Sequence, residues 1–279
     1  MGSDPVKIPV KRRIGGIVML DEVIGTGNGE IVRHQEVVGT GNTATVLSWG
    51  NGKVLKLFHK GYARAAIETE YANARVLQGL GFAVPQVFGI VEHGQQVGIV
   101  YERIDGESLL ANVLRTQDIS GCARQMAELH QQILAHRNDR VAAYKTHLQY
   151  FINKDAVDVS RRAQVLQQVA HLDEGNVLCH GDFHPGNIVL SDNRAVVLDF
   201  MNVCKGPALY DVARTVYLVQ YTPVPQVPVD REQLLRLKEE LADRYLEQMG
   251  VSREAIQDYI DVIRVARRGE CPEETEGAS

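Results

Sequence analysis

The first hundred residues of the chain contain short runs of β-branched and apolar residues separated by glycine-rich breaks. Such runs with tight breaks predict an antiparallel meander of strands. Segment 63–80 instead has apolar positions at helical spacing and many helix-forming residues. We therefore expect five strands and one helix in this part of the chain. The strand-like runs span residues 30–38, 43–49, 53–58, 86–92 and 96–103.

Two of the breaks have the residue types of tight hairpin turns. Gly50-Asn51-Gly52 lies between the second and third runs, and Gly and Asn both accept positive φ. We expect the strands on either side of this turn to be neighbours. His93-Gly94 separates the last two runs and is also expected to form a turn.

After residue 105 the apolar positions change to helical spacing, and only 177–199 remains strand-like. A β-rich half followed by a helical half predicts an α+β fold with two lobes. We place an N-terminal lobe at 19–104 and a helical C-terminal lobe at 105–279. Residues 1–18 are interpreted as a flexible leader or a remnant of cloning. The predicted helices span residues 119–136, 157–172, 207–220, 231–249 and 253–267.

Composition and charge narrow the class of protein. The 279 residues are 44% hydrophobic, which is enough for one large domain or two modest lobes with real cores. The net charge of -5, with both signs well mixed, lacks the basic footprint that nucleic-acid binding needs. No apolar run approaches the roughly 18 residues of a membrane span, and the start lacks the apolar stretch of a signal peptide. We expect a soluble cytoplasmic protein with no membrane or nucleic-acid partner.

The four cysteines are widely spaced and include no CxxC pair. They are Cys122, Cys179, Cys204 and Cys271. This spacing suggests neither a disulfide framework nor a zinc cluster. We expect free thiols in a reducing compartment, with Cys179 and Cys204 serving as small apolar fillers.

Segment 180–187, which reads HGDFHPGN, carries the residue types that phosphoryl transfer requires. That reaction needs a carboxylate to orient the hydroxyl, oxygen ligands for Mg²⁺, a cation on the phosphates and backbone donors over them. Asp182 and Asn187 lie five residues apart in a loop, so one side chain can face the acceptor and the other a metal. The strand-like 196–198 then leads to Asp199, a second hard oxygen ligand suited to Mg²⁺.

This segment, followed by Val197-Leu198-Asp199-Phe200, resembles the aminoglycoside phosphotransferase and choline kinase family. The resemblance extends over nearly the whole chain from about residue 20, and it implies a protein-kinase-like fold. It implies that Asp182 is the catalytic base and that Asn187 and Asp199 bind Mg²⁺. It also implies that His180 organises the loop. The N-terminal lobe would then bind the nucleotide, and the C-terminal lobe would hold the catalytic loop and the acceptor.

Residues 38–46 are predicted to form the hairpin that covers the phosphates. Glycines between two strands let backbone amides approach phosphate oxygens. The third small position is Ala44, where the common kinase pattern has Gly, although close approach requires only a small residue. A second glycine-rich break, 25–28, is interpreted as an ordinary turn because no lysine-bearing strand follows it directly. The candidate nucleotide-binding positions of the hairpin are Gly39, Gly41, Ala44 and Val46.

Lys56 is the candidate cation for the phosphates. Both of its neighbours are apolar, which favours it over Lys53 as the lysine that points into a cleft. Kinases hold such a lysine with a helix glutamate. The family resemblance places that glutamate at Glu70, with Glu68 as the alternative, and either one could instead lie on a solvated helix face.

Segment 99–106 resembles the hinge that binds the nucleotide base. The resemblance implies that the Glu102 carbonyl and the Ile104 amide hold the base and that Tyr101 lines the back of the pocket. A bulky ring at this position would narrow the pocket and disfavour adenine in its usual pose. The donor is therefore ATP or GTP, and GTP use is a hypothesis that a nucleotide titration can test.

Three further polar residues have structural interpretations beside functional ones. Asp211 matches a family aspartate on a helix beneath the catalytic loop, and we expect it to anchor loop amides without taking part in chemistry. His130 is interpreted as a packed core residue. For His184, shaping the turn and a direct functional role both stay open. A transition-metal site with these histidines is disfavoured because Asn187 and the lack of a third soft ligand favour Mg²⁺.

We expect a magnesium-dependent kinase that transfers the γ-phosphate of ATP or GTP to a hydroxyl of a small molecule. An aminoglycoside-like antibiotic or an amino or sugar alcohol, possibly cationic, would be the acceptor. One alternative is a protein kinase, which is weaker because Gly181 replaces the usual arginine and no peptide-positioning segment follows Asp199. The other is a catalytically inactive nucleotide-binding module, which the presence of all four chemical parts disfavours. The catalytic motifs act on the phosphate, so they carry no information on the acceptor or on oligomeric state.

Overall fold

A computed structural model describes residues 11–14, 17–20, 36–155, 158–192, 194–223, 230–272 and 274. The chain forms two compact units. The first extends to Arg75 and resumes at Pro85–Arg103, and the second comprises Val76–Val84 and the chain from Ile104 onward. Segment 25–28, and all but the end of the predicted strand 30–38, lie outside the described residues.

The first unit is built on a five-stranded antiparallel sheet in the order β3-β4-β5-β7-β6, with the helix α1 following β5. A separate hairpin, β1 with β2, precedes it. The helix and four of the five predicted strands are confirmed, and β3 overlaps only the described end of the predicted strand 30–38. The β1–β2 hairpin was not predicted. The elements are β1 (Lys11–Ile14), β2 (Ile17–Leu20), β3 (Val37–Thr40), β4 (Ala44–Ser48), β5 (Lys53–Phe58), α1 (Arg64–Leu77), β6 (Val87–His93) and β7 (Gln96–Glu102).

The turn between β4 and β5 confirms the expected hairpin. Gly50, Asn51 and Gly52 have φ values of 70°, 49° and 68°, a conformation that Gly and Asn adopt at low cost. The turn leads into a strand in which Leu55 and Leu57 are buried in one apolar cluster. Because side chains alternate along a strand, Lys56 points to the other face of the sheet.

The second unit is mainly helical and contains seven α-helices among its described residues. The five predicted helices are present, and α7 has the predicted bounds. Its helices are α2 (Leu109–Thr116), α3 (Ile119–Leu134), α4 (Tyr144–Lys154), α5 (Val159–His171), α6 (Ala208–Gln220), α7 (Arg231–Met249) and α8 (Arg253–Glu270).

Two of these helices, α2 and α4, were not predicted. α2 has only 8 residues, so its apolar periodicity is too short to detect. α4 begins after Ala143, which has no side-chain oxygen to cap the helix, so no start signal precedes it.

Five short strands accompany the helices, and two of them lie outside the predicted strand-like stretch 177–199. These two, β8 and β12, contain 2 and 3 residues and depend on pairing with β10 and β9, which sequence periodicity cannot show. The statement that 177–199 is the only strand-like stretch was therefore wrong. The strands are β8 (Glu107–Ser108), β9 (Val177–Cys179), β10 (Ile188–Ser191), β11 (Arg194–Val197) and β12 (Cys204–Gly206).

The two small sheets of the second unit position the loop that follows β9. β9 pairs antiparallel with β12, so that Cys179 lies opposite Cys204, and both are fully buried. β10 and β11 form a hairpin in which Ile188 lies opposite Val197. The α+β fold class predicted from the sequence is confirmed. No helix in the described part of the chain combines the length and apolar character that crossing a membrane would require.

Candidate active site

The loop 180–187 leaves β9 through a glycine that no other residue can replace without strain. Gly181 has a φ of 74°, and a Cβ added there would lie 2.1 Å from the backbone oxygen of Asn202. The loop then ends in a single 3₁₀ turn, Pro185–Asn187, which His184 caps by accepting a hydrogen bond from Gly186 N at Nδ1. The conformation of Gly181 and the cap from His184 thus fix the backbone of the loop at its two ends.

His180 joins the start of the loop to the segment that precedes Asp199. Its Nε2 lies 3.1 Å from the Leu198 carbonyl oxygen, and its Nδ1 accepts a hydrogen bond from Asp182 N at 3.2 Å. Burial lowers the pKa of His180 below its ordinary 6.5, so the ring is neutral at pH 7. The neutral ring therefore donates from Nε2 and accepts at Nδ1, and it contacts the backbone on both sides of the candidate site.

Asp211, on α6, anchors the loop from below, as expected. Its carboxylate accepts hydrogen bonds from His180 N at 2.5 Å and from Gly181 N at 2.9 Å. Burial alone would raise the pKa of Asp211, but His130 and the loop amides hold it below its ordinary value. The anchor is therefore a charged carboxylate at neutral pH.

His130 holds this anchor from the other side. Its Nε2 lies 2.9 Å from Asp211 Oδ2, its Nδ1 lies 2.5 Å from the hydroxyl of Tyr245, and its ring stacks on Phe183 at 4.4 Å between centroids. His130 is fully buried. The interpretation of His130 as a packed core residue is confirmed.

Asp182 and Asn187 are held together within the loop. Asn187 Nδ2 donates to the Asp182 carbonyl oxygen at 3.0 Å and to Asp182 Oδ2 at 3.1 Å. His184 Nε2 lies 3.9 Å from the same Oδ2. Among the described residues, no donor contacts Asp182 Oδ1, and its side chain is 21% exposed. One carboxylate oxygen of Asp182 is therefore fixed, and the other can accept a hydrogen bond.

Asp199 lies at the same end of the β10–β11 hairpin as Asn187. The Leu198 amide donates to the Asn187 carbonyl oxygen at 2.8 Å, which continues the pairing of the two strands by one residue. Asp199 has a φ of 64°, an uncommon conformation for a residue other than Gly. A strained residue at this position is typical of functional sites.

The amide oxygen of Asn187 and the carboxylate of Asp199 fit the requirements of Mg²⁺. This ion is usually held by one or two protein carboxylates together with water and substrate phosphates. Because the side-chain nitrogen of Asn187 is bound to Asp182, its Oδ1 is the atom left for a metal. The described residues include no group of three or more His, Cys, Asp or Glu side chains arranged to hold a metal ion.

In the first unit, Lys56 is paired with Glu70. The Lys56 ammonium lies 2.8 and 3.0 Å from the two oxygens of Glu70, whose side chain is 1% exposed. The alternatives have other partners: Lys53 lies over the Phe88 ring at 4.2 Å, and Glu68 contacts Arg64 on the exposed face of α1. The pair expected from the sequence is the one that the structure brings together.

The hairpin between β3 and β4 contains the small residues Gly39, Gly41 and Ala44. It lies beside β5, the strand that bears Lys56. Val46 lies directly opposite Lys56 across β4 and β5. Gly41 N donates to the Ala44 carbonyl oxygen at 2.9 Å and closes the turn. A Cβ at Gly39 or Gly41 would meet no atom closer than 4.0 or 3.8 Å, so the fold itself does not require glycine there.

The candidate hinge residues lie at the end of β7. The Tyr101 hydroxyl donates to Glu70 Oε1 at 3.0 Å, so this buried ring is tied to the Lys56–Glu70 pair. Glu102 is the last residue of β7, and its amide donates to the Gln86 carbonyl oxygen at 2.7 Å. Ile104 is half-buried and begins the second unit.

Two residues that contact the loop or its support were not found from the sequence. Arg214 donates from Nε to the Gly181 carbonyl oxygen, and Glu270 binds Arg214. The available signal was an arginine on the mainly apolar helix α6, where burial requires a partner. Nothing in the sequence indicates that the partner lies 56 residues away.

The described fold is that of protein-kinase-like phosphotransferases. Amicoumacin kinase hAmiN, solved with AMP-PNP and Ca²⁺, superposes with a TM-score of 0.59 at 15% identity, covering 86% of this chain and 80% of that chain. An aminoglycoside-3'-phosphotransferase of type VIII has a TM-score of 0.59 at 17% identity, with 83% and 93% covered. Choline kinase LicA from Streptococcus pneumoniae has a TM-score of 0.58 at 19% identity, with 88% and 86% covered.

The model of the phosphotransferase enzyme family (APH) matches residues 36–254, and the chain belongs to this family. The resemblance noted in the sequence is thereby confirmed. A comparison with curated proteins found no match.

Proposed function

We propose that the protein is a magnesium-dependent kinase that transfers the γ-phosphate of ATP or GTP to a hydroxyl of a small molecule. The observation that carries this proposal is the arrangement of Asp182 and Asn187 in a chain of the phosphotransferase enzyme family. One oxygen of Asp182 is held by Asn187, and the other is left to accept a hydrogen bond. This is the arrangement that a residue orienting a hydroxyl needs.

In the second unit, Asp182 Oδ1 accepts the hydrogen bond of the acceptor hydroxyl and takes up its proton as the phosphoryl group is transferred. Asn187 Oδ1 and Asp199 would hold Mg²⁺, and the bound ion would neutralise charge on the phosphate oxygens. His180 does not contact the reacting atoms, and it keeps the Asp182 backbone in position. We assign Asp182 as the base and His180 as the organiser of the loop.

In the first unit, Lys56 binds the phosphates and Glu70 fixes its position. The Lys56 side chain is 14% exposed, so it is partly open to a ligand while its partner is buried. Gly39 and Gly41 support the same assignment, because the fold has room for a Cβ at both positions. Close approach of a phosphate is then the reason for small residues in the hairpin. Of the other two hairpin positions, Val46 lies opposite Lys56, and Ala44 is buried and supports the hairpin from within.

Tyr101, Glu102 and Ile104 are proposed to hold the nucleotide base. The contact of the Tyr101 hydroxyl with Glu70 fixes the ring, and a fixed ring would narrow the pocket as the GTP hypothesis requires. The complexes of hAmiN with AMP-PNP and Ca²⁺ and of the aminoglycoside phosphotransferase APH(4)-Ia with AMP-PNP and hygromycin B support nucleotide and divalent-metal binding by this fold. A titration in which ATP is strongly preferred and GTP is inert would contradict GTP use.

We propose a small, polar acceptor, either neutral or cationic. Similar structures include complexes with hygromycin B and streptomycin, and a choline kinase. The net charge of -5 is compatible with a cationic substrate. We also propose, from the sequence, that the protein works in the cytoplasm without a nucleic-acid or membrane partner.

A coupled assay of nucleotide turnover tests the proposal. ATP and GTP would each be supplied with Mg²⁺ and with aminoglycosides, macrolides, choline, ethanolamine, thiamine, methylthioribose or sugars. We expect acceptor-dependent turnover and a phosphorylated product detectable by mass spectrometry. Tight binding of Mg²⁺-nucleotide without transfer to any acceptor would contradict the proposal and favour an inactive binding module. Transfer only to protein hydroxyls would favour a protein kinase.

A further inference from the structure

The peptide group that joins Gly181 to Asp182 is held by a side chain outside the loop. Arg214 Nε donates to the Gly181 carbonyl oxygen at 2.7 Å. Asp211, three residues earlier on the same face of α6, accepts from the Gly181 amide at 2.9 Å. One helix therefore fixes both polar groups of the residue directly before Asp182.

Arg214 is fixed in turn by the last residue of α8. Its Nη2 lies 2.7 Å from each oxygen of Glu270, and the two side chains are 5% and 9% exposed. Asn202 Nδ2 approaches Glu270 at 3.4 Å, and the Asn202 carbonyl oxygen faces the Cα of Gly181. The contacts thus form a closed ring through Gly181, Arg214, Glu270 and Asn202.

The contacts of Arg214 with the Gly181 carbonyl oxygen and with Glu270 require a guanidinium group, and a positive charge alone would not supply both. Burial alone would lower the pKa of Arg214, but Glu270 and other neighbouring groups raise it, so the guanidinium stays charged. Arg214 uses Nε for a carbonyl and Nη2 for a carboxylate at the same time. A lysine has one compact ammonium on a flexible stem and cannot reproduce two contacts in a fixed fork. An ion pair that served stability alone would not need the contact to Gly181.

A small cavity borders this ring of contacts. Its lining includes His147, Phe151 and Ala266 together with Gly181, Arg214 and Glu270. Packed interiors usually leave few such voids. Gly181 and Arg214 both line this void, so their contact is not enclosed by packed side chains on every side.

We infer that Arg214 is a positioning residue for Asp182 and that Glu270, at the end of α8, holds Arg214 in place. The last turn of α8 therefore contributes to the geometry of the catalytic loop, although it follows the loop by more than eighty residues. This inference rests on the proposed function only in the assignment of Asp182 as the base. The contact between Arg214 and the loop can be tested without any substrate.

The first test compares Arg214→Lys with the matched control Arg267→Lys. Arg267 Nη1 also lies 3.2 Å from Glu270, and its Nε binds Glu274, but within the described part of the chain it makes no hydrogen bond or ion pair with the loop. For Arg214→Lys we expect amide hydrogen exchange of segment 180–187 to rise about tenfold. Turnover should fall on the order of 10²-fold, with the KM for nucleotide within about twofold of wild type. Arg267→Lys should leave both measurements near wild type.

The second test separates positioning from stabilisation. Arg214→Glu combined with Glu270→Arg restores an ion pair but removes the donor to the Gly181 carbonyl oxygen. Relative to Arg214→Glu alone, we expect the thermal midpoint to recover while loop exchange stays fast and turnover stays low. If Arg214→Glu does not fold, Glu270→Gln replaces it as the reference, and Arg214→Lys still decides the outcome.

Recovery of loop protection and turnover in the charge-swapped protein would overturn the inference, because Arg214 would then act only through its ion pair. Equal behaviour of Arg214→Lys and Arg267→Lys would overturn it as well. A wild-type protein that transfers phosphate to no acceptor would contradict the proposed function instead. In that case the hydrogen-exchange comparison still accepts or rejects the role of Arg214.

Discussion

Asn187 Nδ2 donates to Asp182 at two atoms, the backbone oxygen at 3.0 Å and Oδ2 at 3.1 Å. This relationship fixes the orientation of the Asp182 carboxylate and directs the amide oxygen of Asn187 elsewhere. A single residue can therefore orient the proposed base and bind the proposed metal. The roles of the two side chains are coupled, and each prediction for the loop depends on this coupling.

Asp182→Asn is expected to abolish phosphate transfer without preventing nucleotide binding. The amide cannot accept the hydroxyl proton, so kcat should fall by about 10²–10⁴-fold. Nucleotide affinity, measured by calorimetry or fluorescence, should change less than about threefold because the nucleotide-binding residues are intact. Full activity in Asp182→Ala would rule out Asp182 as the base.

Lys56→Met is expected to weaken nucleotide binding, and Lys53→Met provides a matched control. Both lysines lie on β5, but only Lys56 contacts Glu70, whereas Lys53 lies over the Phe88 ring. We expect kcat/KM for the nucleotide to fall at least about tenfold in Lys56→Met, which is a loss of about 1.4 kcal/mol of transition-state stabilisation. Lys53→Met should remain near wild type. Equal losses in the two variants would contradict the assignment.

Removal of a metal ligand is expected to raise the Mg²⁺ concentration needed for activity. Asp199→Asn replaces a charged oxygen ligand with a neutral one. The Mg²⁺ concentration that gives half-maximal activity should therefore increase by about tenfold or more, because ligand charge sets the affinity of such sites. Asn187→Asp keeps an oxygen ligand but loses the donors to Asp182, so kcat should fall even at saturating Mg²⁺. Chelation by EDTA should abolish wild-type turnover. Turnover that persists in EDTA would exclude a metal-dependent reaction.

Donor choice is expected to depend on the Tyr101 ring and not on its hydroxyl. Tyr101→Phe keeps the ring and loses the hydrogen bond to Glu70, so we expect a small rise in the KM for nucleotide with the ATP:GTP ratio unchanged. Tyr101→Ala opens the pocket and should raise the relative kcat/KM for ATP. The ratio is obtained from parallel assays with both nucleotides. An unchanged ratio in Tyr101→Ala would show that this ring does not select the base.

Asp211→Asn is expected to destabilise the folded protein in a pH-dependent way. Asp211 is fully buried, and removing one partner from a buried charged network costs about 3–5 kcal/mol of unfolding free energy. Because the pKa of Asp211 is lowered from its ordinary 3.8, its contribution is present above that pH and is lost as the pH falls below it. In urea unfolding, the free energies of unfolding of the wild type and Asp211→Asn should therefore differ strongly at pH 7, and this difference should become smaller in acid. A difference independent of pH would contradict this account.

The sequence predicted the elements whose signals are local. The turn at residues 50–52 requires positive φ and carries the residues that accept it. α7 has the predicted ends, and the structure shows local signals at both, with Asp230 capping its start and Gly250 ending it in a left-handed conformation. α4 was missed because Ala143 offers no cap. The strand β12 was missed because three residues have no measurable period.

In the candidate site as well, some residues could be predicted from local sequence and others only from the tertiary structure. Residues 180–187 are contiguous, so their chemistry was readable from the sequence, and the apolar neighbours of Lys56 favoured it over Lys53. The choice of Glu70 over Glu68 came from the family resemblance, and the structure brings Glu70 to Lys56. The sequence shows an arginine within helix α6 but carries no signal for its pairing with Glu270, since a charge pattern does not show which distant charge will be the partner.

The sequence by itself determined the fold class, the main strands and helices, and the loop that contains Asp182. These features depend on periodicity, turn chemistry and contiguous motifs, which act over a few residues. Only the tertiary structure decided that Asn187 occupies one oxygen of Asp182 and that Asp211 and Arg214 hold the Gly181 peptide. Such contacts depend on the positions of backbone and side-chain atoms after distant elements have packed, and no local pattern encodes those positions.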